Sequence, residues 1–396
     1  MTATLLAALT LAIWLYLLLG RGFFWRGAER DDTIGLEDLA APSVWPSVTA
    51  IIPARNEAEV VETSLGSLLS QTYPGAFSVV LVDDQSSDGT GDLARQIAER
   101  ASAADRVEVL HGSEPPHGWT GKLWAMQRGT LHLESRREAA EFILFTDADI
   151  AYRAPDAVER LVRLAVARRA VLTSLMVKLR CDSPAERLLV PAFIFFFAKL
   201  FPFAWVNDPR RRTAAAAGGC MLVRRDALAA AGGLEAIRSA LIDDCALGAA
   251  LKRQGPVWLG LTRDVVSLRP YPAVGDIRRM VVRSAFAQLG YSTPQLIGAV
   301  AGMLVTYLLP PLLAIFAEGP ARLMGATACA AMALSFVPTL RFYGRNPAWS
   351  LALPLIAAIY TGFTVESAIQ HWRGRGGAWK GRFQAAGNAS GRIAGP

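Results

Sequence analysis

Two aspartates, Asp147 and Asp149, stand two residues apart at the end of the apolar run EFILFT. Carboxylates so close repel each other unless a cation sits between them. Their hard oxygens suit Mg²⁺ or Mn²⁺, ions that bridge carboxylates to phosphate oxygens. A solvated acidic turn uses the same residues, but a position at a strand end favours the metal reading. A second pair, Asp83 and Asp84, follows the run SVVLV, where a carboxylate can accept hydrogen bonds from a base or ribose. Asp88 and Gly89, just beyond, read as turn and helix-cap chemistry. Pro53 and Ala54 leave room for a flat base against the backbone, and Asn56 or Glu57 opens the next helix; a plain strand-to-helix turn would look the same. Lys122 lies in GWTGKLW ahead of a helix. It can contact a diphosphate, helped by the positive helix terminus, or be a surface charge. Gly218 and Gly219 permit close backbone approach on the acceptor side. Asp243 and Asp244 precede a helix, where acids cap, but a carboxylate here can also deprotonate an acceptor hydroxyl. Arg283 precedes an apolar stretch, and either meets lipid headgroups or neutralises a leaving pyrophosphate.

These residues need a scaffold that brings them to one rim. SVTAIIPA, SVVLVDD, RVEVLH and EFILFTDADI read as buried strands, and the segments between them carry helical spacing. Ser86 or Ser87 is placed to cap the second helix. Strands alternating with helices predict an α/β fold with a mostly parallel sheet and helices on both faces. Ligands of such sheets bind beyond the carboxyl ends of the strands, where the acids fall.

The chain has 396 residues, of which 52% are hydrophobic. That share calls for membrane segments, each roughly 20 apolar residues long. Residues 1–24 form an expected anchor, and 291–370 hold three more apolar stretches, about Pro294–Phe316, Leu323–Leu340 and Trp349–Phe363. Residues 47–290 form one expected catalytic domain, and 371–396 a basic tail. Residues 188–206 are apolar but interrupted by Pro191, Lys199 and Pro202, and suit a helix lying on the membrane surface. Arg21, Arg26 and Arg30 follow the first stretch, so the positive-inside rule puts the domain in the cytoplasm of a multi-pass plasma (inner) membrane protein. Four spans would then leave the basic tail outside, against the same rule. The net charge of +7 suits anionic headgroups or simple topology signalling. No basic stripe interleaved with aromatics appears, so a nucleic-acid partner is not expected. Cys181, Cys220, Cys245 and Cys329 fit no metal spacing and read as reduced, small apolar residues.

As an ordered set, these motifs resemble the inverting family 2 glycosyltransferases, which have the GT-A fold; the resemblance covers about residues 47–290. It implies that Asp84, or Asp83, contacts the nucleoside, that Asp147 and Asp149 are the metal-binding pair, and that Asp244 is the catalytic base. Arg283 matches the Arg of the QxxRW motif, although Met280 and Ser284 replace its Gln and Trp, a departure from the processive polymer synthases. The chain is also similar to ceramide glucosyltransferases. Through GWTGKLWAMQRG, IDDCALG and AWKGRF it is most similar to the hopanoid (hopene)-associated group.

The resemblance implies a nucleotide-sugar donor, a UDP-sugar as the first expectation, a divalent cation and a lipid acceptor, a hopanoid in the group it most resembles. A polyprenyl-phosphate or sphingolipid-type sugar transferase is the competing enzyme. A catalytically silent sugar-lipid binder would keep the fold without turnover. A dinucleotide oxidoreductase is disfavoured, because PARNE rather than GxGxxG follows the first strand.

Overall fold

The computed structural model describes residues 1–35, 38–136, 140–376, 378–379 and 382–383. Its centre is an eight-stranded sheet built from β1 (Val48–Ala54), β2 (Phe77–Asp83), β3 (Val107–His111), β4 (Phe142–Thr146), β5 (Ile150–Tyr152), β6 (Leu172–Lys178), β7 (Cys220–Arg224) and β8 (Val257–Ser267). The spatial order is β3-β2-β1-β4-β7-β6-β8-β5. Pairings β3–β2, β2–β1, β1–β4 and β6–β8 are parallel. Pairings β4–β7, β7–β6 and β8–β5 are antiparallel. The parallel majority and helices on both faces agree with the sequence reading. The antiparallel insert does not appear there, because a buried run of residues looks the same in either direction.

Every residue of β1 is buried, since helices cover both of its faces. Ala50 and Ile52 point into one apolar core and Ile51 into the other. Helices α2 (Ala58–Leu69), α3 (Thr90–Arg100) and α5 (Ala157–Ala167) supply the first core. The second takes α4 (Gly121–Glu134), α6 (Pro184–Leu200), the short α7 (Phe203–Asn207) and α8 (Arg225–Ala230), and α9 (Asp243–Leu251). The helix expected to be capped by Ser86 or Ser87 starts later, at Thr90 after Gly89; Ser86 Oγ instead accepts the Asn56 N–H at 3.0 Å.

Among the described residues, four helical segments are long and apolar enough to cross a membrane: Thr2–Gly20, Thr293–Phe316, Gly319–Phe342 and Pro347–Trp372. The first is α1 (Thr2–Leu15) with a π-helical extension, Tyr16–Gly20. After α10 (Val274–Val282) and α11 (Ala285–Gln288), the second joins α12 (Thr293–Met303), a π turn at Leu304–Leu308 and α13 (Leu309–Phe316). The third is α14 (Gly319–Phe342), and the fourth is a 3-10 stretch, Pro347–Ala352, running into α15 (Leu353–Trp372). Their buried faces share the second core with the sheet.

Helix α6 is the joint. Its Phe195 meets Phe24 and Phe336, its Phe196 meets Tyr307 and Tyr360, and Tyr360 Oη donates to Leu189 O at 2.9 Å. Pro191 lies inside the helix without ending it; the break falls at Phe201 and Pro202. Packing on both sides outweighs the one backbone bond that a proline removes. Most of the basic tail lies outside the described residues; within it, Ala378–Trp379 pairs antiparallel with Arg382–Phe383.

Candidate active site

Strands β1, β4 and β8 run in the same direction, so their carboxyl ends share a rim. A cleft of about 640 Å³ opens there. Its walls include Pro53 from β1, Lys122 from α4, Asp147 and Asp149 after β4, Asp243 from α9, Arg269 after β8, and Tyr271 and Arg283 near the membrane segments. Glu57 also reaches it.

Lys122 is the hub. Thr120 caps α4 by accepting the Leu123 N–H, which sets Lys122 in the first turn. A cation at a helix N-terminus is disfavoured by the dipole, yet three carboxylates gather around this one. Its Nζ lies 2.8 Å from Asp147 Oδ1 and 3.1 Å from Asp243 Oδ2. Burial opposes its charge, but Asp147 and Asp243 outweigh burial and hold the ammonium above the usual lysine range. Gly218 packs close by: a Cβ there would lie 3.3 Å from Lys122 Nζ and 3.4 Å from Asp244 Oδ2. The Gly218 N–H donates to Asp244 Oδ2 at 2.9 Å, and the Cys245 N–H to Oδ1 at 2.7 Å. Burial, with Asp243 adding to it, pushes the Asp244 carboxyl up to about 6 despite Lys122 and those donors. Burial likewise raises Asp147.

Arg269 forms a second hub. Its Nε donates to Asp149 Oδ2 at 2.8 Å and its Nη2 to Glu57 Oε1 at 2.8 Å. The guanidinium thus joins the end of β4 to the mouth of α2. Sequence reasoning missed Arg269; the only local signal is an Arg-Pro-Tyr-Pro turn just past a buried run. Glu186, at the first turn of α6, holds that turn: its carboxylate accepts the Tyr271 N–H at 2.6 Å and those of Asp182 and Ser183 at 2.8 Å.

Other expected residues stand off the cleft wall. Asp84 is buried beside Arg55, whose Nη1 is 3.5 Å from Asp84 Oδ2. Asp83 Oδ1 accepts the Ser86 N–H at 3.0 Å, holding the turn into α3. Asn56 takes a left-handed φ of 52° and accepts the Ser87 N–H at 2.9 Å through its side chain. Asp88 binds Thr90 and the Ala58 N–H, the turn role expected of it. Ala54 is wholly buried in β1. A Cβ at Gly219 would come within 3.0 Å of Val177, so that glycine serves packing. Asp244 does not line the cleft wall; it lies beside Gly218 and Lys122. The four cysteines are all free thiols.

The donors suit a divalent cation. Lys122 takes one oxygen of Asp147 and Arg269 one of Asp149, leaving Asp147 Oδ2 and Asp149 Oδ1 without a side-chain partner among the described residues. Two carboxylates plus substrate phosphates is a usual Mg²⁺ or Mn²⁺ arrangement. No group of three acidic, His or Cys ligands converges among the described residues, so phosphate and water would complete the shell.

The sequence profile described as "Glycosyltransferase like family 2" matches residues 46–258, more than half of the chain. The chain belongs to this family. Among relatives of the family 2 chain, 4,4'-diaponeurosporenoate glycosyltransferase of Staphylococcus aureus (strain bovine RF122 / ET3-1) is 35% identical over 116 residues, covering 29% of this chain and 27% of that protein. Glycosyltransferase AglE of Haloferax volcanii is 44% identical over 89 residues, covering 22% and 28%. The match thus spans little more than a quarter of these curated relatives. The fold of mannosyltransferase PcManGT from Pyrobaculum calidifontis, solved with GDP-Man and Mn2+, superposes with a TM-score of 0.53 at 20% identity, covering 93% of this chain and 98% of that one. This family 2 chain therefore shares the GT-A fold of that neighbour over most of its length.

Proposed function

We propose that the chain transfers a sugar from a nucleotide-sugar donor to the hydroxyl of a membrane lipid, with inversion at the anomeric carbon. The observation that carries this reading is the convergence of Asp147, Asp243 and Asp244 on Lys122 in a cleft that also holds Asp149 and Arg269.

The acceptor oxygen attacks the anomeric carbon from the face opposite the diphosphate. Asp244 takes its proton, the carbon–oxygen bond to the diphosphate breaks, and the nucleoside diphosphate leaves. A carboxyl raised to about 6 is a stronger base than an ordinary aspartate and is still ionised at neutral pH. A divalent ion held by Asp147 and Asp149 would offset charge on the departing diphosphate. Lys122, Arg269 and Arg283 add positive charge around it. Pro53 offers the floor for the base, and Asp84 or Asp83 the nucleoside contact. Asp243 is a second reading for the base, favoured by its place on the cleft wall.

A lipid acceptor suits the position of the cleft. Met280 lines it from α10 and Arg283 from that helix's C-cap, which leads into the membrane helices, and Tyr271 lines it from the turn tied to α6. The domain lies on the cytoplasmic face of the plasma membrane in this reading. A UDP-sugar donor and a hopanoid acceptor are the specific substrates that the sequence motifs favour.

Membranes containing the protein, incubated with a panel of nucleotide-sugars and Mg²⁺ or Mn²⁺, should yield a glycosylated lipid by mass spectrometry, and chelation should stop it. Asp244→Asn should abolish transfer and retain donor binding. If Asp243→Asn does so instead while Asp244→Asn turns over, the base is Asp243. Efficient transfer to a soluble acceptor in lipid-free detergent would refute the lipid reading.

A further inference from the structure

Away from the cleft, two cations sit where α1, α6 and the Thr293–Phe316 segment meet. The Lys199 ammonium contacts the Met303 thioether at 3.9 Å and faces the rings of Tyr307 at 4.7 Å and Phe196 at 5.5 Å. Arg21, one residue beyond the first apolar helix, donates from Nε to Lys199 O at 2.7 Å and from Nη2 to Leu200 O at 3.2 Å. It also lies 5.3 Å over Trp205, whose ring faces Arg211 at 4.8 Å. Neither Lys199 nor Arg21 has a carboxylate within ion-pair distance among the described residues.

The surrounding surface suits a bilayer. Tyr16, Leu19, Leu200 and Leu304 beside these residues are 45–66% exposed, which in water would waste apolar surface. Both neighbouring apolar helices are π-helical at this level, over Tyr16–Gly20 and Leu304–Leu308. Such turns often mark ligand sites. The Trp14 indole N–H binds Thr306 O at 2.8 Å, satisfying a carbonyl in the second of them. The Tyr307 hydroxyl, on a side chain with no exposure, has no hydrogen-bond partner among the described residues. A buried donor without an acceptor costs free energy, and so does an ammonium held against rings and sulfur alone.

We propose that Lys199 and Arg21 form a binding site for the headgroup phosphate of an anionic membrane phospholipid, whose acyl chains lie along the exposed side chains of Tyr16, Leu19 and Leu304. The phosphate accepts charge-assisted hydrogen bonds from the ammonium and the guanidinium. Basic residues at a membrane-embedded joint without protein counter-ions attract this class of lipid. The site stands apart from the transfer chemistry and holds whether or not that reading does. Its role is to lock the first membrane helix to α6, and so to the cleft turn that Glu186 carries.

The test uses the full chain in neutral detergent, supplied with phosphatidylglycerol or phosphatidylcholine of matched acyl chains. Native mass spectrometry should show retention of phosphatidylglycerol over phosphatidylcholine by about tenfold, because both lipids carry the phosphate but only choline adds a cation that the two basic residues repel. Lys199→Met should remove that preference, Lys199→Arg should keep it, and Arg322→Met, on a different membrane helix, should leave it unchanged. Equal retention of the two lipids by the unaltered protein overturns the proposal without recourse to any variant. So does an undiminished preference in Lys199→Met, or displacement of the lipid by millimolar inorganic phosphate, which would make the site one for a soluble anion.

Discussion

Replacing Asp244 with Asn should change how stability depends on pH as well as abolish transfer. Burial, reinforced by Asp243, raises the Asp244 carboxyl from 3.8 to about 6, with Lys122 and the Cys245 and Gly218 N–H groups opposing. Its folded pKa is above its unfolded one, so the native state holds the proton more tightly. The native state therefore loses stability as pH rises from about 4 to about 6, and loses no more above that. A rise of about 2 units at about 1.4 kcal/mol each is about 3 kcal/mol. Asparagine cannot ionise. The stability difference between variant and wild type should thus move by about 3 kcal/mol in the variant's favour between pH 4 and pH 7. The amide also gives up one of two oxygens that accept backbone N–H groups, at a cost of about 1–3 kcal/mol. That cost is independent of pH and cancels from the comparison across pH. At roughly 2–4 °C per kcal/mol for a domain of this size, the melting midpoints of the full chain in detergent with chelator should diverge on the order of 6–12 °C. Midpoints that run parallel between pH 4 and pH 7 would refute the reasoning, whatever happens to activity.

Lys122→Met leaves Asp147, Asp243 and Asp244 facing one another without their shared cation. It should lower stability by about 3 kcal/mol, and Mn²⁺ should restore part of the loss in thermal unfolding. Arg269→Gln frees Asp149 from its guanidinium, so nucleotide-free Mn²⁺ affinity, read by electron paramagnetic resonance, should rise about tenfold; weaker Mn²⁺ binding would count against Asp149 as a ligand. Glu186→Gln takes a carboxylate from three backbone N–H groups. It should cost about 2 kcal/mol and speed amide exchange at Tyr271, whereas unchanged exchange would remove Glu186 as the tie between α6 and the cleft.

Much of the site was legible because its signals are local. β1, β2 and β4 are short buried runs, and their polar neighbours begin where burial ends. Pro53, Asp147, Asp149 and Lys122 could therefore be placed on one rim from strand–helix alternation alone. The Asp83–Asp84 pair was harder, since both carboxylates follow the same strand; only the turn into α3 shows that Asp83 is engaged with Ser86. Asp243 and Asp244 pose the same problem at the head of α9, where adjacent residues diverge by about 100° on a helix. Asp243 lines the cleft, and Asp244 turns to the Gly218 N–H beside it.

Residue order alone determined the alternating α/β core, four apolar helices and a set of acids at strand ends, because burial periodicity and apolar length are properties of consecutive residues. Tertiary structure alone decided that Arg269 meets Asp149 and Glu57, residues 120 and 212 positions away. It also decided that α6 joins the sheet to the membrane helices. These depend on strand order across the sheet and on helix packing, where side chains far apart in the chain share a low-dielectric space and choose their charge partners by distance.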